Sequence, residues 1–128
     1  PVIRLLQILP KPVTVTATAQ GKVFGDAEPT LAAPAISPAL TGTDVSTGTL
    51  NRVAGENAGA YEIQQNTFNL DPYKYAITYV PANFTVSKKP VTITPRLAYS
   101  KTYGATDPTF EYNFTPLVST DVITGALA

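Results

Sequence analysis

The chain has 128 residues with nine basic and nine acidic side chains, so its net charge is zero and only 14% of it is charged. Such a surface lacks the clustered Lys and Arg that give affinity for nucleic acid or anionic lipid, Lys88-Lys89 being its one basic pair. Histidine and cysteine are absent, which removes thiol nucleophiles, disulfides, the commonest general base and the usual ligands of zinc, copper and non-haem iron.

Residues 1–10 hold the apolar run Leu5-Leu6-Gln7-Ile8-Leu9. It is too short to cross a bilayer and lacks the flanks of a secretory leader. From Lys11 the pattern becomes β. Val13, Val15, Ala17 and Ala19 alternate with Thr14, Thr16 and Thr18, a period of two that turns one apolar face inward. In Phe24-Gly25 the glycine supplies the positive φ of a tight turn, and the aromatic is expected to fold under it into the core. Pro29 cannot donate to a ladder and is expected to begin an edge strand. Helix is limited to a single turn near Thr41 to Val45. Alternation returns at Tyr61 and Ile63, at Tyr75, Ile77 and Tyr79, and at Phe84 and Val86. Twelve prolines and eight glycines punctuate the chain, and its Val and Thr suit pleated strands. The expected fold is all-β, as small β-sandwich or β-grasp-like domains in tandem.

The tandem arrangement follows from three blocks that recur in order. Lys11-Pro12-Val13-Thr14-Val15-Thr16 returns as Lys89-Pro90-Val91-Thr92-Ile93-Thr94, at an offset of 78. Lys22-Val23-Phe24-Gly25 with Glu28-Pro29-Thr30 returns as Lys101-Thr102-Tyr103-Gly104 with Asp107-Pro108-Thr109, at 79. Thr43-Asp44-Val45 with Gly48 and Leu50 returns as Thr120-Asp121-Val122 with Gly125 and Leu127, at 77. One period of this length marks a repeat protein. Residues 11–88 read as one complete repeat and 89–128 as the first half of the next. Leu6-Gln7-Ile8-Leu9 stands where Phe84-Thr85-Val86-Ser87 stands before the second copy, so residues 1–10 read as the closing strand of a preceding repeat. The natural protein is expected to continue in both directions. Asn83 to Thr94 reads as nearly continuous extended chain, with Pro90 stiffening the junction.

At these residues the chain resembles the MBG-type repeats of bacterial surface adhesins and filamentous-haemagglutinin-like secreted proteins. The resemblance rests on the Lys11–Ala17 opening, the turns at Lys22–Pro29 and Lys101–Pro108, the block Thr47–Ile63 and the block Ile77–Thr94. One stretch departs from the pattern: Ala32-Ala33-Pro34-Ala35 stands where alternation like that of Glu111-Tyr112-Asn113-Phe114 is expected. The resemblance implies a small β-rich domain in many copies, secretion, and a part in cell-surface attachment or aggregation. It brings no catalytic residues.

Asp26, Glu28 and Asp107 are too few per turn for the six to eight oxygens that calcium takes, and are expected to satisfy backbone amides in their turns. Asp44 and Asp121 are expected to cap short turns. An isopeptide crosslink from Lys11 or Lys89 to Asn83 would need a buried lysine, which these proline-flanked residues are not expected to be. Asn83-Phe84-Thr85 and Asn113-Phe114-Thr115 match the glycosylation tripeptide but fall in expected strands. Tyr75 and Tyr79 share a face with Ile77 and are expected in the core, which leaves Tyr73, after Pro72, as the candidate exposed binding residue.

No catalytic residue, cofactor or metal is expected. The reading is a non-enzymatic stalk repeat of an extracellular bacterial surface or secreted adhesin, with neighbouring repeats as its partners. Its rivals are a module that binds a host glycan or protein, and self-association through strand edges, including a strand-swapped dimer. Because residues 89–128 lack counterparts of Tyr61–Ile63 and Tyr75–Tyr79, they are expected to borrow strands or to dock on the complete repeat.

Overall fold

A computed structural model of the chain describes residues 1–128. The fold is all-β. Its strands are β1 (Lys11–Thr16), β2 (Gln20–Val23), β3 (Ala35–Ser37), β4 (Asn51–Arg52), β5 (Gly59–Gln64), β6 (Tyr75–Val80), β7 (Ala82–Ser87), β8 (Ile93–Pro95) and β9 (Tyr112–Phe114). They form three sheets, ordered β3-β1-β6, β2-β7-β5-β4 and β8-β9. The chain divides into two compact units, Pro1–Lys88 and Lys89–Ala128. No helix is long and apolar enough to cross a membrane.

The first unit is organised by its two terminal runs. β1 pairs with β6 in parallel from Lys11↔Tyr75 to Thr16↔Val80, and β2 pairs with β7 in parallel from Gln20↔Phe84 to Val23↔Ser87. Both ladders keep one offset of 64 residues, so residues 11–23 and 75–87 make a single parallel ribbon that passes from one sheet into the other. It is interrupted at Ala17-Thr18-Ala19 on one side and at Pro81, which has no N–H to give, on the other. The Ala17 N–H still bonds the Val80 carbonyl at 2.9 Å across that break. Bonds from Lys11 N–H to Lys74 O (2.7 Å) and from Phe24 N–H to Ser87 O (2.8 Å) extend the ribbon at its two ends. No tight turn can join parallel strands. The long connection between them supplies β3, antiparallel to β1, and β5, antiparallel to β7, with β4 beyond it.

Alternation fills the core as the pattern requires. Ala17, Ile63, Phe84 and Val86 form one buried cluster, flanked by Phe24, Leu50, Tyr61 and Tyr79. Val13, Leu70 and Tyr75 form another, flanked by Ile36, Leu40 and Ile77. Burial of a side chain such as Phe84 contributes about 2–3 kcal/mol. Tyr75, Ile77 and Tyr79 alternate along β6 on one face: Tyr75 is buried in the second cluster with Ile77 packed against it, while Tyr79, further along the strand, is half-buried and packs against the first.

Several local expectations are corrected. Thr41 to Val45 forms a turn, closed by the Asp44 N–H on the Thr41 carbonyl at 3.2 Å, and no helix. No strand begins at Pro29: residues 29–34 are irregular, and the edge strand β3 starts at Ala35. Ala32-Ala33-Pro34 offers neither β-branched side chains nor a full set of donors, so the ladder forms only beyond it. Gly25 and Gly104 both take positive φ, 88° and 83°. Phe24 packs on the core beneath its turn, whereas Tyr103 is fully exposed. β7 ends at Ser87 and β8 begins at Ile93, so residues 88–92 belong to no strand.

In the second unit β8 pairs with β9, from Ile93↔Phe114 to Pro95↔Tyr112. None of its side chains is buried. Val13 and Val15 are 2% and 0% exposed, while their repeat counterparts Val91 and Ile93 are 42% and 47% exposed. Identical or near-identical residues in one strand pattern thus meet opposite surroundings. Tyr99 and Phe110 stack edge to face at 5.2 Å, and the Tyr99 hydroxyl accepts the Glu111 N–H at 2.7 Å.

Candidate functional site

The most organised polar constellation joins β2, the turn after it, β4 and the loop before β5. Arg52 on β4 lies over the core edge, its guanidinium carbon 4.8 Å from the Phe84 ring centre and 5.2 Å from that of Tyr61. All five of its N–H donors are engaged. Nε and one terminal nitrogen form a fork on the Glu28 carboxylate, the second of these contacts at 2.9 Å. The same terminal nitrogen reaches Glu56 Oε1 at 2.9 Å, and the other donates to the carbonyls of Val53 (3.0 Å) and Gly55 (2.7 Å). Lys22 Nζ completes the ring, 2.9 Å from Glu28 Oε2 and 2.6 Å from Glu56 Oε2.

The two cations are the buried members of this knot, with side chains only 6% and 9% exposed, and the two carboxylates cap them from the solvent side. Hydrogen bonds from Arg52 and then Lys22 hold the Glu28 carboxyl at about 2. Glu56 is lowered mainly by Lys22, and Lys22 is raised by Glu56 and Glu28. Gly55 is required by packing: a Cβ there would stand 2.1 Å from Tyr61 Cε1. With every Arg52 donor used and two cations balanced by two carboxylates, the knot is a crosslink, and it leaves no unpaired cationic group for an anion.

A second crosslink closes the other core cluster. Asp44 accepts Lys74 Nζ and the Tyr75 hydroxyl, each at 2.7 Å, and that hydroxyl accepts the Thr41 N–H at 2.8 Å. Both partners lower the Asp44 carboxyl, Lys74 more than Tyr75.

The acids thus do other work than their sequence context suggests. Glu28, expected to bind turn amides, pairs with side-chain cations; Asp107 likewise pairs with Lys101; and Asp44 ties a loop to β6 instead of capping a turn. Turn amides are already bonded to carbonyls, as in Asp26 N–H to Val23 O at 3.0 Å, which leaves these carboxylates for distant cations. Lys101–Asp107 is the repeat counterpart of Lys22–Glu28, but residues 89–128 hold no counterpart of Arg52 or Glu56. Both went unread in the sequence, although Arg52 is the one arginine of residues 11–88.

Lys11 Nζ bonds the Ala39 carbonyl at 3.0 Å, and Asn83 is exposed on β7 opposite Glu62, so these two are not brought together. Tyr73 is 89% exposed in the loop before β6, with its N–H on Asp71 Oδ1 at 2.9 Å. A separate open groove of about 340 Å³ is lined by Leu31, Pro34, Leu50 and Phe68 among others.

No curated protein and no solved structure matches the chain. The sequence model of the MBG domain of the YGX type matches residues 13–85, from β1 into β7. That span holds both crosslinks of the first unit, most of the parallel ribbon and, except for Val86, both buried clusters, and the chain belongs to the MBG domain family, YGX type.

Proposed function

We propose that this chain is a non-catalytic structural repeat of a large bacterial surface or secreted adhesin, and that it bears tension in a stiff stalk displaying a distal binding region. The observation that carries the reading is the parallel pairing of the terminal runs. The complete repeat begins at Lys11, at the Tyr75 end of the ribbon, and its last strand finishes at Ser87, beside Val23 at the other end. The ribbon spans about 40 Å at roughly 3.3 Å per residue. A pull on the two ends of the repeat therefore loads the ladder bonds together in shear, along the strands, instead of opening them one by one.

Tandem recurrence supports the same reading, since beads joined end to end transmit force only if each resists it. The strongest cation–carboxylate groupings are spent on crosslinks that tie loops to the ribbon, which is what a load-bearing bead needs. Force spectroscopy on proteins of one, two and three repeats tests this. Pulling through residues 11 and 88 is expected to need more force than pulling from residue 11 and a site in the β4–β5 loop, and the maximum dimension in small-angle scattering is expected to grow linearly with repeat number. Equal forces in the two geometries, with a dimension that levels off, would refute it.

A further inference from the structure

The two sheets of the complete repeat end in the edge strands β3, β6, β2 and β4. Three of these are blunted. β3 has three residues and β4 two. Beside β2, the Gln20 side chain holds the backbone of Thr30 and Ala32, and the Val23 carbonyl already accepts the Asp26 N–H at 3.0 Å. Short or covered edges resist pairing with another chain. β6 has no such protection: Tyr75–Val80 runs six residues without a charge, a proline or a break in register.

Bonds from Lys11 N–H to Lys74 O and from Ala17 N–H to Val80 O fix the phase of its ladder with β1. Ala76, Thr78 and Val80 turn their backbone groups towards β1. Ile77 and Tyr79 turn theirs the other way, where no group of the chain bonds them. The Tyr79 hydroxyl donates to the Ile63 carbonyl at 2.8 Å, which pins the strand and leaves its bare edge preformed.

We propose that β6 pairs antiparallel with β6 of a second copy, about a two-fold axis at Thr78, joining two three-stranded sheets into one. The edge is complementary to itself. Its outward residues lie symmetrically about Thr78, so Ile77 of each copy stands opposite Tyr79 of the other, and every free N–H meets a free carbonyl. Parallel pairing in register would set Ile77 opposite Ile77. A parallel ladder instead sets each bonding residue opposite one that faces away, as Val13 stands opposite Ile77. On the exposed face Thr78 meets Thr78 and Ala76 meets Val80, so no charge opposes the contact and the cross-strand pairs favour it. The contact is isologous and closes at two molecules. It depends on neither residues 1–10 nor residues 89–128, and it holds whether or not the ribbon bears load.

Sedimentation equilibrium of the full chain up to millimolar concentration, with amide exchange followed residue by residue in the same samples, tests the pairing. A monomer–dimer equilibrium is expected. The amides of Ile77 and Tyr79 should exchange slowly in the dimer alone, whereas those of Ala76 and Thr78, bonded to β1, should exchange slowly in both species. Thr78→Lys and Thr78→Glu each set like charges face to face and are expected to abolish the dimer. Thr78 is exposed, so the monomer should unfold at an unchanged temperature. An equimolar mixture of the two variants is expected to restore a dimer holding one of each. A dimer that persists in either variant alone, a mixture that stays monomeric, or protection of Ile77 and Tyr79 at every concentration would overturn the proposal. So would a wild type that stays monomeric, which would leave the edge to an extended segment of another protein.

Discussion

The Tyr75 hydroxyl donates a 2.7 Å hydrogen bond to Asp44, 31 residues earlier in the chain, while its ring sits in the buried cluster with Val13 and Leu70. One residue therefore fills the core and ties down the loop above it. Tyr75→Phe keeps the ring and removes both hydroxyl bonds, those to Asp44 and to the Thr41 N–H. The expected loss is about 1–2 kcal/mol, measured by urea unfolding. Asp44→Asn in the Tyr75→Phe background should cost less than it does alone, because the two share one interaction.

Arg52 is the residue whose removal should matter most among the charged ones. Arg52→Ala abolishes the fork on Glu28 and the bonds to two backbone carbonyls, and uncovers the Phe84 and Tyr61 rings. A loss of about 2–3 kcal/mol is expected in chemical denaturation. Arg52→Lys should recover less than half of it, since an ammonium cannot make two parallel bonds to one carboxylate.

Acid should weaken the first unit through Glu28. Its folded value of about 2 lies below its ordinary 4.5, so the stability it contributes is present above pH 4.5 and lost as pH falls towards 2. Glu56 and Asp44, also lowered, act in the same direction. Glu28→Gln should flatten the acid limb in melts taken between pH 6 and pH 2 (about neutral to strongly acidic). At the alkaline end the sign reverses. Lys22 is raised from 10.5 by its carboxylate partners and Tyr79 from 10.0 by burial, so their contributions are complete below pH 10 and lost above it.

Matched substitutions at the two copies of the first strand should diverge. Val15→Ala empties part of a fully buried site and is expected to cost about 2 kcal/mol. Ile93→Ala in dilute protein is expected to change stability by less than about 0.5 kcal/mol, because half of that side chain already meets water. Parallel thermal unfolding curves of the two variants check this.

The all-β class and the strand alternation at Val13 and Val15 and at Phe84 and Val86 were legible in the chain. Both follow from local chemistry: period-two patterning and β-branched side chains. The candidate site was legible only in part. Lys22 and Glu28 stood out as repeated residues, but nothing local indicated that Glu28 would turn away from its own turn.

Pairing across long distances was a tertiary decision. The 64-residue offset sets residues 11–23 beside 75–87, the β4–β5 and β5–β7 ladders bring Arg52 onto Phe84, and the folding of the intervening loops carries Asp44 to Tyr75. It also explains why Val13 and Val91 fare so differently, since burial depends on which strand arrives from far along the chain to cover a face. A side-chain pattern states which face must be covered; only the three-dimensional arrangement names the strand that covers it.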